Sequence, residues 1–277
     1  MKYMKKTVPL SVVVIAYNEE AVLEAALKSV AWADEIIVVD SGSTDSTLDI
    51  AKKFGAKTIS HPFENYGSQK QFAVDQASHT WVFVLDADER VSAPLAESML
   101  STLKNPFKSA YRIQRKNYFL GREVTAQYWD NDTSVRLFDK TKHSFSKQRI
   151  HEKVVAKKSE VEKIKGVLYH LSHRSIAELS KKAHTYALLD AQERFTQNPP
   201  TITGWNIVSS AIKYFFRVYV TGGGYKDGTE GLLNALILTY QQRILIRSML
   251  WEMQQKPSLE SKYKSIDTEL SKDRYEL

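Results

Sequence analysis

Three apolar runs, each broken off by polar residues, constrain this chain more than any other feature. Residues 10–16 read LSVVVIA and stop at Tyr17-Asn18-Glu19; residues 35–39 read EIIVV and stop at Asp40; residues 81–85 read WVFVL and stop at Asp86. A continuous run of this kind suits a strand buried on both faces, because a strand with one wet face would alternate. Between the runs the spacing becomes helical. Val22, Leu23, Ala26, Leu27 and Val30 share one side of residues 19–31, which predicts a helix there. Ser43 or Thr44 is placed to cap a second helix that Gly55 ends, residues 56–60 read as a third short strand, and residues 68–77 as another helix. Strand–helix alternation predicts an α/β fold with a Rossmann-like, mostly parallel sheet flanked by helices. Ligands of such sheets bind beyond the carboxyl ends of the strands, and three of those ends here carry polar groups.

The pattern then changes. Residues 111–117, 134–139 and 165–169 read as strands of mixed orientation separated by polar loops. From Ser175 onward the spacing is helical, over residues 176–196, 205–220 and 229–253, with Pro199-Pro200 and Gly222-Gly223-Gly224 as punctuation. The expected organisation is a catalytic α/β domain over residues 1–174 and a helical C-terminal extension over 175–277. The triple glycine lacks the Lys-Ser/Thr of a phosphate loop and reads as a hinge. The stretch after Pro257 reads as a charged, solvated tail.

The chain has no cysteine, so any metal must be held by Asp, Glu or His, which favours Mg²⁺ or Mn²⁺. Its formal net charge of +7 is spread along the sequence without a nucleic-acid-binding motif, so nucleic acid is not an expected partner. The N-terminal residues lack a small-residue cleavage site and no apolar stretch is long enough to span a bilayer, which makes the cytoplasm the expected location. Lys213 and Arg217 lie four residues apart, as do Arg243 and Arg247, each pair beside apolar and tyrosine residues. That arrangement suits helices lying peripherally on an anionic membrane surface.

The sharpest chemical signal is Asp86-Ala87-Asp88-Glu89 directly after a buried strand. Two carboxylates at i and i+2 can reach around one hard cation whose other positions hold diphosphate oxygens. Asp40 is placed to accept a hydrogen bond from a base, and Gly42 permits close backbone approach. Lys70, in the helix opened by Gly67-Ser68, suits a diphosphate.

Taken together, Tyr17-Asn18-Glu19-Glu20, Val38 to Asp45, Tyr66 to Lys70 and Leu85 to Glu89 resemble the successive motifs of inverting family 2 glycosyltransferases, which have the GT-A fold. Asn117 to Arg122, Val135 to Phe138 and Ile150-His151-Glu152 resemble a narrower branch, the bacterial lipopolysaccharide inner-core β-glucosyltransferases. The resemblance implies that Tyr17, Glu19 and Asp40 hold the nucleoside, with Lys70 standing where many relatives carry arginine. It implies that Asp86 and Asp88 address ribose, diphosphate and metal. An inverting transfer needs one general base. The candidates are Glu152, Asp130 and Asp132, with Glu152 at the place of the family's basic carboxylate, here as His-Glu. A late histidine, His170 or His173, would complete the metal sphere.

The expected reaction is transfer of a hexose, glucose from UDP-glucose, to a lipopolysaccharide core sugar. The alternatives are a polyprenyl-phosphate or protein-directed transferase of the same family and, outside catalysis, a nucleotide-sugar-binding protein. A sugar-phosphate nucleotidyltransferase would need a glycine-rich, arginine-containing loop where Tyr17-Asn18-Glu19 stands.

Overall fold

The computed structural model of the chain describes residues 8–126, 132–146 and 152–271, the side chains of residues 172 and 173 excepted. The chain divides into two compact units, Met1–Arg174 and Ser175–Leu277.

The first unit is built on one sheet of nine strands among the described residues. β1 (Leu10–Ala16), β2 (Glu35–Asp40), β3 (Lys57–Ser60) and β4 (Trp81–Asp86) form a parallel block in the order β3-β2-β1-β4. The apolar runs are buried on both faces. Val12 and Val14 pack with Leu23, Leu27 and Leu95 on one side, while Val13 packs with Ile37, Val84 and Val74 on the other. The first side is covered by α1 (Leu23–Val30), α2 (Thr47–Lys53) and α4 (Ala93–Thr102), the second by α3 (Tyr66–Asp75).

Beyond β4 the sheet is mixed. β8 (Thr133–Asp139) runs antiparallel between β4 and β6 (Ala110–Phe119), and β6 pairs in parallel with β9 (Val161–His173). The short β5 (Glu89–Val91) closes the order antiparallel to β9, and β7 (Arg122–Glu123) hairpins onto β6. The sheet is therefore parallel in its N-terminal half and mixed in the rest.

Two departures from local periodicity matter for the site. The helix expected over residues 19–31 begins only at Leu23, and residues 18–20 are bound to the residues that follow β2. Asn18 N–H donates to Ser43 Oγ at 2.8 Å, Glu19 N–H to Thr47 Oγ1 at 2.8 Å, and Thr44 N–H to Asn18 Oδ1 at 2.8 Å. Asn18 takes a left-handed φ of 53° to do so. The hydroxyls and carboxylates that read as helix caps thus join two strand-end loops. Secondly, β9 spans thirteen residues where five were expected. The register with β6 shifts between Arg112 and Gln114, around Gly166 at φ 99°. A Cβ there would sit 2.5 Å from the backbone of Leu95 in α4. The glycine lets β9 pass under α4 and continue far enough to bring His170 opposite Asn117 and Glu89.

The second unit comprises α5 (Ile176–Thr196), α6 (Gly204–Phe215), α7 (Gly228–Thr239), α8 (Ile246–Met253) and α9 (Leu259–Leu270). Wider π turns extend α6 over Phe216–Thr221 and join α7 to α8 over Tyr240–Leu245. Ala187, Ala191, Ile202, Ile246 and Leu250 form one core, and Tyr214, Val218 and Ala235 another. The triple glycine forms a packed turn. A Cβ on Gly222 would lie 2.8 Å from the Val218 carbonyl oxygen and one on Gly224 3.1 Å from the Cα of Tyr219, so close approach demands glycine at those two positions. The stretch after Pro257 is the exposed helix α9. Of the basic pairs expected at a membrane, Lys213 and Arg217 are exposed. Arg243 and Arg247 are half-buried, the Arg243 guanidinium lying 4.6 Å over the ring of Tyr214. Of this second pair, Arg243 is engaged within the unit.

Gly166→Ala should destabilise the first unit by roughly 2 kcal/mol or more, because a left-handed backbone and a clash with α4 act together. Chemical denaturation with far-UV detection checks this, and a midpoint equal to the parent's would show that the strand passes α4 without needing glycine.

Candidate active site

The carboxyl ends of the parallel strands and the facing residues of the mixed half carry one continuous chain of charged side chains. It begins at Lys70, buried in the second turn of α3, which Asn65 caps by accepting from Ser68 N–H at 2.9 Å. Lys70 Nζ lies 2.8 Å from Glu152 Oε1 and 3.0 Å from Asp86 Oδ1. The other oxygen of Asp86 accepts from Arg136 Nη2 at 2.8 Å, and the same nitrogen donates to Glu89 Oε1, also at 2.8 Å. Arg136 projects from β8, and Glu89 is fully buried at the start of β5. Glu89 is in turn 3.6 Å from Arg115 of β6.

Arg115 leads to Asp132 by a two-pronged contact, Nε to Oδ2 at 3.0 Å and Nη2 to Oδ1 at 2.8 Å. Asp132 Oδ2 also accepts from Asn117 Nδ2 at 2.9 Å. That bond turns the Asn117 carbonyl oxygen toward His170, whose Nδ1 lies 2.7 Å away. An amide oxygen only accepts, so Nδ1 carries a proton, and Nε2 is the ring nitrogen turned toward Asp88. His170 Nε2 lies 3.7 Å from Asp88 Oδ2. A carboxylate thus fixes an amide, the amide orients an imidazole, and the imidazole turns its other nitrogen toward a second carboxylate.

Electrostatics follow from this geometry. Burial would raise the Asp86 carboxyl, but the Arg136 guanidinium and the Lys70 ammonium outweigh it and hold the group well below the usual carboxylate range. Asp132, also pushed up by burial, is brought below its ordinary value by the hydrogen bonds and charge of Arg115. Burial disfavours the Lys70 ammonium, yet Asp86 and Glu152 raise its pKa all the same. Five carboxylates, Asp86, Asp88, Glu89, Asp132 and Glu152, share three cations, Lys70, Arg115 and Arg136, in this chain of contacts.

The residues expected from sequence distribute as follows. Tyr17 is exposed just past β1 and Glu19 is half-buried in the same loop. Asp40 is buried at the end of β2, where its Oδ2 accepts from the N–H groups of Gly42 at 2.9 Å and Ser43 at 3.0 Å, so its carboxylate shapes the turn. Lys70, Asp86 and Glu152 come together. Asp86 and Asp88 part company, the first held between two cations and the second facing His170. Asp130 and His151 lie outside the described residues, as does the side chain of His173. Arg136, Glu89, Arg115 and Asn117 had no role assigned from sequence. Their signal was present as charged or amide side chains inside strands, at Arg115 and Asn117 in β6 and at Arg136 ahead of Leu137-Phe138.

The glycosyl transferase family 2 model matches residues 11–156. The lipopolysaccharide core biosynthesis glycosyltransferase LpsC of Rhizobium meliloti is 28% identical over 235 residues, covering 82% of this chain and 87% of that protein. An uncharacterized glycosyltransferase of Rickettsia typhi is 30% identical over 249 residues, covering 86% and 84%. Among solved structures, glucosyl-3-phosphoglycerate synthase from Mycobacterium tuberculosis is 26% identical with a TM-score of 0.34, covering 42% of this chain and 45% of that one, a likeness that decides nothing about donor or metal.

A carboxylate whose folded pKa lies below its unfolded value stabilises the fold above the unfolded value and loses that contribution as pH falls through the folded one. Asp86 and Asp132 therefore contribute in full at about pH 5 and above, and lose their contribution below about pH 4. The melting temperature should fall on that acid side, and Asp132→Asn should make the fall shallower. An unchanged acid slope in the variant would remove Asp132 from the stabilising network.

Proposed function

The chain belongs to glycosyl transferase family 2, and from that premise we propose that it transfers a hexose, glucose from UDP-glucose, with inversion to a sugar of the lipopolysaccharide core. The observation that carries this reading is the meeting of Glu152 with Lys70 and Asp86, which places an acidic side chain from a distant loop beside the strand-end residues expected to receive the donor. The likeness to LpsC, whose whole length is nearly covered, supports the core saccharide as acceptor.

In this reading Tyr17, Glu19 and Asp40 receive the nucleoside, and Lys70 and Arg136 supply positive charge near the diphosphate. The acceptor hydroxyl attacks the anomeric carbon from the face opposite the leaving group. As the new carbon–oxygen bond forms, the anomeric carbon–phosphate oxygen bond breaks, its electron pair leaves with the nucleoside diphosphate, and the hydroxyl proton passes to Glu152. Glu152 is favoured over Asp132 by its contacts. It is held through one oxygen by Lys70, whereas both Asp132 oxygens are taken by Arg115 and Asn117, which lowers that group's basicity.

Asp88 and His170 fit a divalent cation, Mg²⁺ or Mn²⁺, since a carboxylate oxygen and a ring nitrogen face each other at 3.7 Å while the other ring nitrogen is held by Asn117. Among the described residues no third acidic or histidine side chain joins them, which leaves room for diphosphate oxygens. A cation held there would neutralise charge on the departing diphosphate. Asp86, engaged by Lys70 and Arg136, positions the site's cations.

Incubation with UDP-glucose and truncated core oligosaccharides, with product linkage determined, tests the reaction. Glu152→Gln should lower kcat by about 10²-fold or more with donor affinity nearly unchanged. Nucleotide-sugar binding without transfer to any core acceptor would instead support a binding protein, and an active Glu152→Gln beside an inactive Asp132→Asn would move the base.

Calorimetric titration with Mn²⁺ and UDP should show metal-dependent binding that Asp88→Asn and His170→Ala each weaken by about tenfold or more. Full transfer activity in excess chelator would overturn the metal assignment.

A further inference from the structure

The second unit carries a surface that no role in sugar transfer accounts for. Along α6 and the π turn that extends it, Trp205, Val208, Ile212, Phe216 and Val220 recur at intervals of three and four residues, and all five are exposed. Trp205 is 77% exposed and Ile212 65%, values far from those of core side chains. The opposite face of the same helix is the packed one, where Tyr214 and Val218 bury against Ala235. The helix is therefore apolar on both sides, one covered within the unit and one open. At 1.5 Å per residue the open row is roughly 22 Å long.

Charge decides what the row would meet. From Arg194 through Lys226 the sequence contains no acidic residue, while Arg194, Lys213, Arg217 and Lys226 are basic. Lys213 and Arg217 are exposed and follow Ile212 and Phe216 directly, so two cations flank the apolar row on one side. Protein interfaces are depleted of lysine at their cores, whereas a helix lying in a lipid interface combines an apolar face, a flanking tryptophan and basic side chains at headgroup depth. No helix among the described residues is long and apolar enough to cross a membrane. We propose that the Trp205–Val220 face of this helix lies in the interface of an anionic bilayer, with the apolar row among the acyl chains and Lys213 and Arg217 against the lipid phosphates. The surface is carried by this helix alone and does not depend on the identity of donor or acceptor.

The test uses the full chain and large unilamellar vesicles of phosphatidylcholine, with or without about a third phosphatidylglycerol, in flotation assays. The parent should float with the anionic vesicles and lose most of that binding in their absence or at high salt, since each basic side chain near the surface contributes electrostatically. Ile212→Glu with Phe216→Glu, both at exposed positions, should lower partitioning by tenfold or more with an unchanged circular dichroism spectrum. Lys213→Glu with Arg217→Glu should remove the preference for anionic lipid. In the parent, lipids brominated near the headgroup should quench tryptophan fluorescence, and Trp205→Phe should lose most of that quenching. A parent that ignores anionic vesicles at low salt would overturn the proposal. So would a glutamate variant that floats like the parent, or one that converts a dimer to a monomer by light scattering without changing flotation, which would make the row a contact between copies.

Discussion

Arg136 is the group on which the rest of the site depends. It reaches from the first antiparallel strand past β4 and donates from one nitrogen to both Asp86 and Glu89. Glu89 is fully buried and Arg136 nearly so. Such a pair is stable only while each charge keeps its partner, and removing one leaves the other uncompensated at a cost of about 3–5 kcal/mol. The arginine therefore holds together the end of a parallel strand, the start of a short antiparallel one and the mixed half of the sheet.

From that centre the contacts extend in two directions with different chemistry. Toward α3 they run through Asp86 to Lys70 and Glu152, a stretch of full charges that is largely buried. Toward β9 they run through Arg115, Asp132 and Asn117 to His170, and each step fixes the orientation of the next group. The first branch is suited to meeting a charged donor and moving a proton. The second is suited to holding an imidazole in one orientation. In the proposed reaction the first branch carries the base and positive charge for the diphosphate, and the second carries the imidazole that would help hold a cation.

The second unit answers to different physics. Its helices pack through small cores of alanine, isoleucine, leucine and tyrosine, and they leave one complete apolar row of α6 in water. Charge sorting within the unit is sharp. Arg243 lies over an aromatic ring and Arg247 is half-buried beside Arg243 and Arg194, while Lys213 and Arg217 stay exposed beside the row. Equal spacing in sequence, four residues within each pair, thus led to unlike environments.

Strands β1, β2 and β4, their burial and the polar groups at their carboxyl ends were legible in the sequence, because burial on both faces leaves an uninterrupted apolar run that any reader of local pattern can see. The long helix Ile176–Thr196 was legible for the same reason, its spacing being local. Helix α4 was overlooked although Ser92 and Pro94 mark its start. What only the tertiary structure decided was which side chains meet. Asn18 and Glu19, read as the approach to α1, instead donate their amides to hydroxyls of a neighbouring loop, a pairing that local spacing does not show. His170 reached Asp88 through a shifted register at Gly166, and Lys70 met Glu152 across 82 residues of chain. Periodicity reports which face of an element is buried and is silent on the partner it is buried against; that is set by strand order, register and bulges, which arise only when the whole sheet assembles.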